Sequence, residues 1–206
     1  MIIKKINKQP VEPRELIEVV AGPQDAKLVE DLQQHVRKNA MKDKNGEPVF
    51  AADSKEFIES IINSKRGIVV CYFTKDEEGK DDFVGFFELT CPDDPNELEE
   101  EYHISQYLPN ADISNMGVAE SFAVMPKFQG NHLQVQMFRR MEEIAASRGI
   151  TSLIGTVHPE NIYSCASFDA SNYQTVVQFE AHGGPRYLKY KEIPILDRDN
   201  NESHSR

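Results

Sequence analysis

The sequence predicts one α/β domain built on a mixed β-sheet, and three observations carry that expectation. Strand-length apolar runs alternate with stretches whose apolar residues recur every three or four positions. Two pairs of strand-like runs are separated by short turns, at 75–80 and 183–185. The longest unit, 117–149, reads strand, tight polar loop, helix, and another strand follows it.

Taken in order, residues 1–14 are a polar lead-in with Pro10 and Pro13. Residues 16–21 form a short strand, stopped by Gly22-Pro23. From 24 to 39, Ala26, Leu28, Val29, Leu32 and Val36 place one apolar face on a helix. Residues 42–48 are loop, with Asn45-Gly46 as the turn signal. Asp53 or Ser54 caps a second helix whose apolar side holds Phe57, Ile58, Ile61 and Ile62. Residues 67–73 and 82–90 are the arms of a hairpin, and Gly85 marks a bulge or a close approach. Residues 92–101 read as a solvated acidic loop, or else as a rim that attracts a cationic substrate. Residues 103–114 show no clear period; Tyr102 and Tyr107 either line a pocket or pack.

Within the central unit, β-branched and aromatic residues dominate the strand and Pro126 closes it. Leu133, Met137, Met141, Ile144 and Ala145 form the apolar stripe of the helix, and Gly149 stands where a C-cap wants positive φ. The free N–H groups and dipole of such a helix start make an anion site, while the competing reading is a plain turn with nothing bound. There is no Gly-x-x-x-x-Gly-Lys-Ser/Thr and no Gly-x-Gly-x-x-Gly in it. Residues 152–157 are a strand, 161–171 a short helix, and 173–179 and 186–191 the last two strands. The domain is expected to span 1–196, with 197–206 a polar, disordered tail.

Composition excludes several classes. A net charge of −11 on 206 residues makes nucleic acid and anionic membrane poor partners, because both need clustered Lys and Arg. Cys71, Cys91 and Cys165 are few and scattered, so neither a disulfide framework nor a metal site is expected. The start of the chain has no apolar signal core and no stretch is long enough to span a bilayer, so a cytoplasmic location is the expectation.

The run Val124-Met125-Pro126-Lys127-Phe128-Gln129-Gly130-Asn131-His132-Leu133 resembles the acetyl-CoA-binding motif of the GNAT N-acetyltransferases. In that family a Val-x-Pro strand end precedes Gln/Arg-x-x-Gly-x-Gly/Ala at a helix start. Gln129 matches the first position and Gly130 the often-glycine second; His132 and Gln134 stand where small residues are usual. A second match runs from Val157 through Asn161 to Phe168 and Asn172-Tyr173, with Phe168 in the place of the family's usual Tyr. The resemblance covers roughly residues 84–191 in element order, its sharp motifs about 45 of them.

This resemblance implies a splayed central sheet and an acyl-CoA held between the strands at 118–124 and 152–157. The expected contacts are Phe122, Ala123, Val124, Gln129, Gly130, Asn131, His132, Leu133, Gln134, Asn161 and Phe168, largely through backbone N–H groups. It implies transfer of an acetyl group from acetyl-CoA to an amine-bearing acceptor, without a metal; a homodimer is the assembly allowed for. The alternative is a non-catalytic acyl-CoA-binding or interaction module that keeps the fold.

Acyl transfer needs a base for the ammonium proton and a donor for the oxyanion. Glu120 is the base candidate, because its strand parity puts it beside Phe122 and Val124, facing the splay. The competing assignment is a carboxylate that caps or pairs at the strand's start. The Val124 N–H is the candidate donor to the acyl carbonyl.

Overall fold

The computed structural model describes residues 11–13 and 15–194. The expected tail at 197–206, and most of the lead-in at 1–14, lie outside those residues. The strands are β1 (Ile17–Val20), β2 (Ile68–Lys75), β3 (Asp81–Thr90), β4 (Met116–Val124), β5 (Ser152–Val157), β6 (Gln174–Ala181) and β7 (Gly184–Glu192). The helices are α1 (Ala26–Asn39), α2 (Lys55–Asn63), α3 (Pro95–Tyr102), α4 (Ile104–Tyr107), α5 (Leu133–Ser147) and α6 (Ile162–Ala170). The strands make one sheet in the order β1-β2-β3-β4-β5-β7-β6. Only β4 and β5 pair in parallel among the described residues; every other neighbouring pair is antiparallel. The sheet is therefore mixed, as the alternation of hairpins and strand–helix–strand units required.

Alternation along the strands sorts the core into two faces. On one face, Val69, Cys71, Phe86 and Ala123 meet Ala26, Val29 and Leu32 of α1 and Ile58 and Ile61 of α2. On the other, Val70, Phe87, Leu89, Phe122 and Leu153 meet Leu133, Met137, Phe138, Met141 and Ala145 of α5. Phe138 stacks on Phe122 at 4.2 Å between ring centroids and also touches Phe168 and Tyr173. Burying such a ring stabilises the fold by roughly 1.5–3 kcal/mol. The C-terminus of α5 closes as the sequence requires. Gly149 takes φ +80, its N–H reaches Ala146 O and the next N–H, from Ile150, reaches Ala145 O.

Several local expectations resolve. Ser54, not Asp53, caps α2, its side chain accepting from the Phe57 N–H at 3.2 Å. Gly85 marks both: the β2–β3 register slips at Val84 beside it, and a Cβ there would lie 2.3 Å from Ala123 O. The acidic stretch is a helix rather than a loop, which corrects the sequence reading. Asp94 caps it, Pro95 opens it, and only Leu98 and Tyr102, four apart, are buried. Two apolar positions among so many carboxylates give too weak a period to read. Tyr102 and Tyr107 both pack, with Ile104, Met116, Val118, Ile154 and Leu188.

Candidate active site

The site begins where two strands part. The β4–β5 register holds for Met116↔Ser152, Gly117↔Leu153 and Val118↔Ile154, and no further. Beyond it, Gly155, Thr156 and Val157 pair only with β7, so the edge of β4 from Ala119 to Val124 opens towards a cleft. Gly155 sits at the fork, where a Cβ would meet the Phe168 ring at 2.8 Å and Ala119 O at 3.2 Å.

On its other edge, β4 carries a bulge. Leu89 pairs with Ala119 and Glu88 with Ser121, so Glu120 is the extra residue. The bulge breaks the parity from which the orientation of Glu120 was expected. Phe122 packs on the α5 face, whereas Glu120 turns to the α1/α2 face and accepts from Thr90 Oγ1 at 2.5 Å. Past the bulge, the Met125 N–H donates to Val84 O on β3. By alternation the N–H groups of Val124 and Phe122 point the opposite way, into the cleft.

A cavity of about 90 Å³ fills the fork. Its walls bring together Ala119, Glu120, Ser121 and Phe122 of β4, Gln134 of α5, Thr156 and Val157 of β5, and Asn161, Ser164 and Phe168 around α6. The loop at 49–53, His158, His182 and Arg186 complete it. Of the residues expected from sequence, Glu120, Phe122, Gln134, Asn161 and Phe168 therefore share one cavity. Ala123 does not: its side chain is buried on the α1/α2 face. Leu133 is also turned into the core, leaving its backbone as the part that faces outward.

The loop before α5 is set by backbone geometry. Gly130 has φ +93 and His132 φ +55, so the position where glycine is usual does adopt the left-handed region. Gln129 Nε2 donates to Val124 O at 3.0 Å, and Asn131 Nδ2 donates to Phe128 O and Val11 O. No side chain among the described residues caps the start of α5. Its first-turn N–H groups are thus free for an anion, beside the cleft edge of β4. Gln134 Oε1 accepts from Ser167 Oγ at 3.1 Å, and Asn161 caps α6 through Ser164 N.

Electrostatically the cavity has an acidic floor. Burial pushes Glu120 up to about 7, the repulsion of Asp53 and Glu101 adding to it and the Thr90 hydrogen bond opposing it. Asp53 is also raised, chiefly by burial. Behind them Glu88 is fully buried and pushed well above the usual carboxylate range by desolvation, with Asp53 and Glu120 reinforcing the shift. Gln33 links this group: its Nε2 donates to Glu88 Oε1 at 2.9 Å and its Oε1 accepts from Asp53 N at 2.7 Å. Opposite, His158 Nδ1 accepts from Glu160 N at 3.1 Å, so the neutral ring carries its proton on Nε2, 3.9 Å from Asp43.

The sequence reading missed Arg186, His158 and His182 as members of this cavity and Glu88 and Gln33 as the buried pair behind it, and it had Asp53 only as a helix cap. The only signals available were polar residues inside otherwise apolar runs: Glu88 within β3 and Gln33 on the apolar side of α1. Tyr163 is exposed and lies outside the cavity, and Cys165 is turned to the carbonyls of His158 and Pro159.

No family model and no curated protein sequence matches the chain. Solved structures do. An acetyltransferase of the GNAT family from Streptococcus pneumoniae is 17% identical, with a TM-score of 0.62 over 87% of this chain and 100% of its own. Arabidopsis thaliana NAA60, solved with a bisubstrate analogue, is 11% identical, with a TM-score of 0.66 over 88% of this chain and 100% of its own. The protein yncA from Salmonella typhimurium, solved with its cofactor acetyl-CoA, is 12% identical, with a TM-score of 0.58 over 87% of this chain and 95% of its own. With the mixed seven-stranded sheet, these likenesses show that the chain has the GNAT acetyltransferase fold.

Proposed function

We propose that this protein is an acetyl-CoA-dependent N-acetyltransferase with Glu120 as its general base. The observation that carries the reading is a carboxylate at about 7 in the same cavity as the open edge of β4. The residues present suit the co-substrate: uncapped N–H groups at the start of α5 for the pyrophosphate, and the Phe122 and Val124 N–H groups for the pantetheine and acyl carbonyl. Acetyl-CoA supplies the acyl group as a thioester.

The chain's own residues supply the rest. Glu120 takes the ammonium proton, directly or through a water, which frees the amine lone pair. An N–H of the β4 edge stabilises the developing oxyanion. The acidic floor attracts the protonated amine before reaction. The place of the usual tyrosine acid is held by Phe168, and no tyrosine lines the cavity among the described residues. Solvent then protonates the departing thiolate, which is a tolerable leaving group unassisted.

That same substitution supports a second reading, a module that binds acyl-CoA without turning it over. Calorimetry with acetyl-CoA followed by a turnover assay over amines, amino acids, polyamines and peptides separates the two. Binding with turnover is expected. Binding without turnover on the whole panel favours the module, and no heat or thermal shift at millimolar acetyl-CoA removes both.

A further inference from the structure

The cavity has a cationic wall that the transfer chemistry does not use. Arg186 is 7% exposed and lines the cavity from β7. It lies two residues before Leu188, which packs with Met116, Val118 and Ile154, so it shares the sheet face onto which Glu120 and Asp53 turn. Its Nη1 donates to Val49 O at 3.4 Å, a long bond, and its Nε has no partner among the described residues.

The other cations of β7 are matched. Lys189 Nζ meets Asp169 Oδ1 at 2.7 Å, and Lys191 Nζ meets Glu142 Oε2 at 2.7 Å. No ion pair joins Arg186 to a carboxylate among the described residues, and burial alone lowers its proton affinity. A buried guanidinium without a counter-ion is costly, and its planar fork matches a carboxylate in two parallel hydrogen bonds. Glu120 and Asp53 stand on the wall of the same small cavity and suit a cation.

We propose that the acceptor is a small amino acid, whose carboxylate is bound by Arg186 while its amine faces Glu120. This rests on the acetyl-transfer reading and names the acceptor class for it. Arg186 is then a specificity-determining residue. The chemistry is unchanged by it: Glu120 takes the ammonium proton, the freed nitrogen bonds to the acetyl carbon and gives its surplus proton to solvent, the thioester C–S bond breaks, and the CoA thiolate leaves and is protonated by solvent.

The test is a matched acceptor panel at saturating acetyl-CoA. Each α-amino acid is assayed beside its carboxamide and its decarboxylated amine, with rates referred to the free-amine concentration. The expected result is a kcat/KM for the best amino acid ~10- to 100-fold above its neutral partners, carried mainly by KM. Arg186→Met should abolish that preference while still acetylating the neutral amine, and Arg186→Lys should restore part of it. If Arg186→Met does not fold, the wild-type comparison decides alone. Neutral partners or polyamines used as well as the acids would overturn the proposal and leave acetyl transfer standing. Binding of acetyl-CoA with no acceptor acetylated overturns both.

Discussion

Glu120 owes its properties to being one residue too many in β4. Opposite no β3 partner, its side chain leaves the alternation and enters a floor of carboxylates, where Thr90 donates to it. Its rise from 4.5 to about 7 has two consequences. The wild-type transfer rate should climb with pH through about 7, as the carboxylate form appears. Glu120→Gln should cost ~10²–10⁴-fold in turnover, lose that limb, and leave acetyl-CoA affinity nearly unchanged. A retained pH limb in Glu120→Gln would move the role of base to Asp53. His132 carries a different strain, with φ +55 at the start of α5. His132→Gly should raise stability by ~0.5–1 kcal/mol in urea titrations and keep acetyl-CoA affinity, since the backbone rather than the imidazole shapes the loop.

At the scale of elements, the fork depends on a contact that only glycine permits. An alanine at Gly155 would press its Cβ against the Phe168 ring, 2.8 Å away, which is itself wedged beside Phe138 and Tyr173. Gly155→Ala should therefore destabilise by ~1–3 kcal/mol, read from the denaturation midpoint, and weaken acetyl-CoA binding by shifting the ring. An unchanged midpoint would mean that the ring yields freely. This dependence also shows where sequence reading reaches and where it stops. The α5 unit was legible because one apolar stripe, one proline and one glycine agree on its ends. The orientation of Glu120 was not, since parity assumes an unbroken ladder and a bulge leaves no local mark. Helix α3 was hidden by its own charge. Arg186 was hidden by position: at the start of a terminal strand it looks like any exposed cation, and only the packing of the 49–53 loop and the β5 end buries it.

Across the whole molecule, the buried acids should set the pH at which the fold is most stable. Glu88, Asp53 and Glu120 all hold protons more tightly folded than unfolded. A raised carboxyl contributes its stability fully below its unfolded value, near 4.5 for Glu, and loses it as pH rises through the folded value. For Glu120 that loss falls between about 4.5 and 7, and for Glu88 it extends higher. Asp43 and Glu56 work in the opposite sense. Their lowered values add stability above 3.8 and 4.5 that is lost in acid; Glu56 is exposed, so its share is small, and the Asp43 contribution, though its side chain is largely covered, is lost only as pH falls below 3.8, outside the range that matters here. The melting temperature should therefore peak at mildly acidic pH and fall from about pH 5 to pH 8.5. Glu88→Gln keeps the shape and the acceptor for Gln33 Nε2 while removing the buried charge. It should raise the melting temperature at pH 8 and flatten the slope. Glu77→Gln, on the exposed hairpin turn, removes the same unit of the net −11 charge from solvent and serves as the control. If the two variants respond alike, general charge repulsion governs the pH profile and the buried cluster does not.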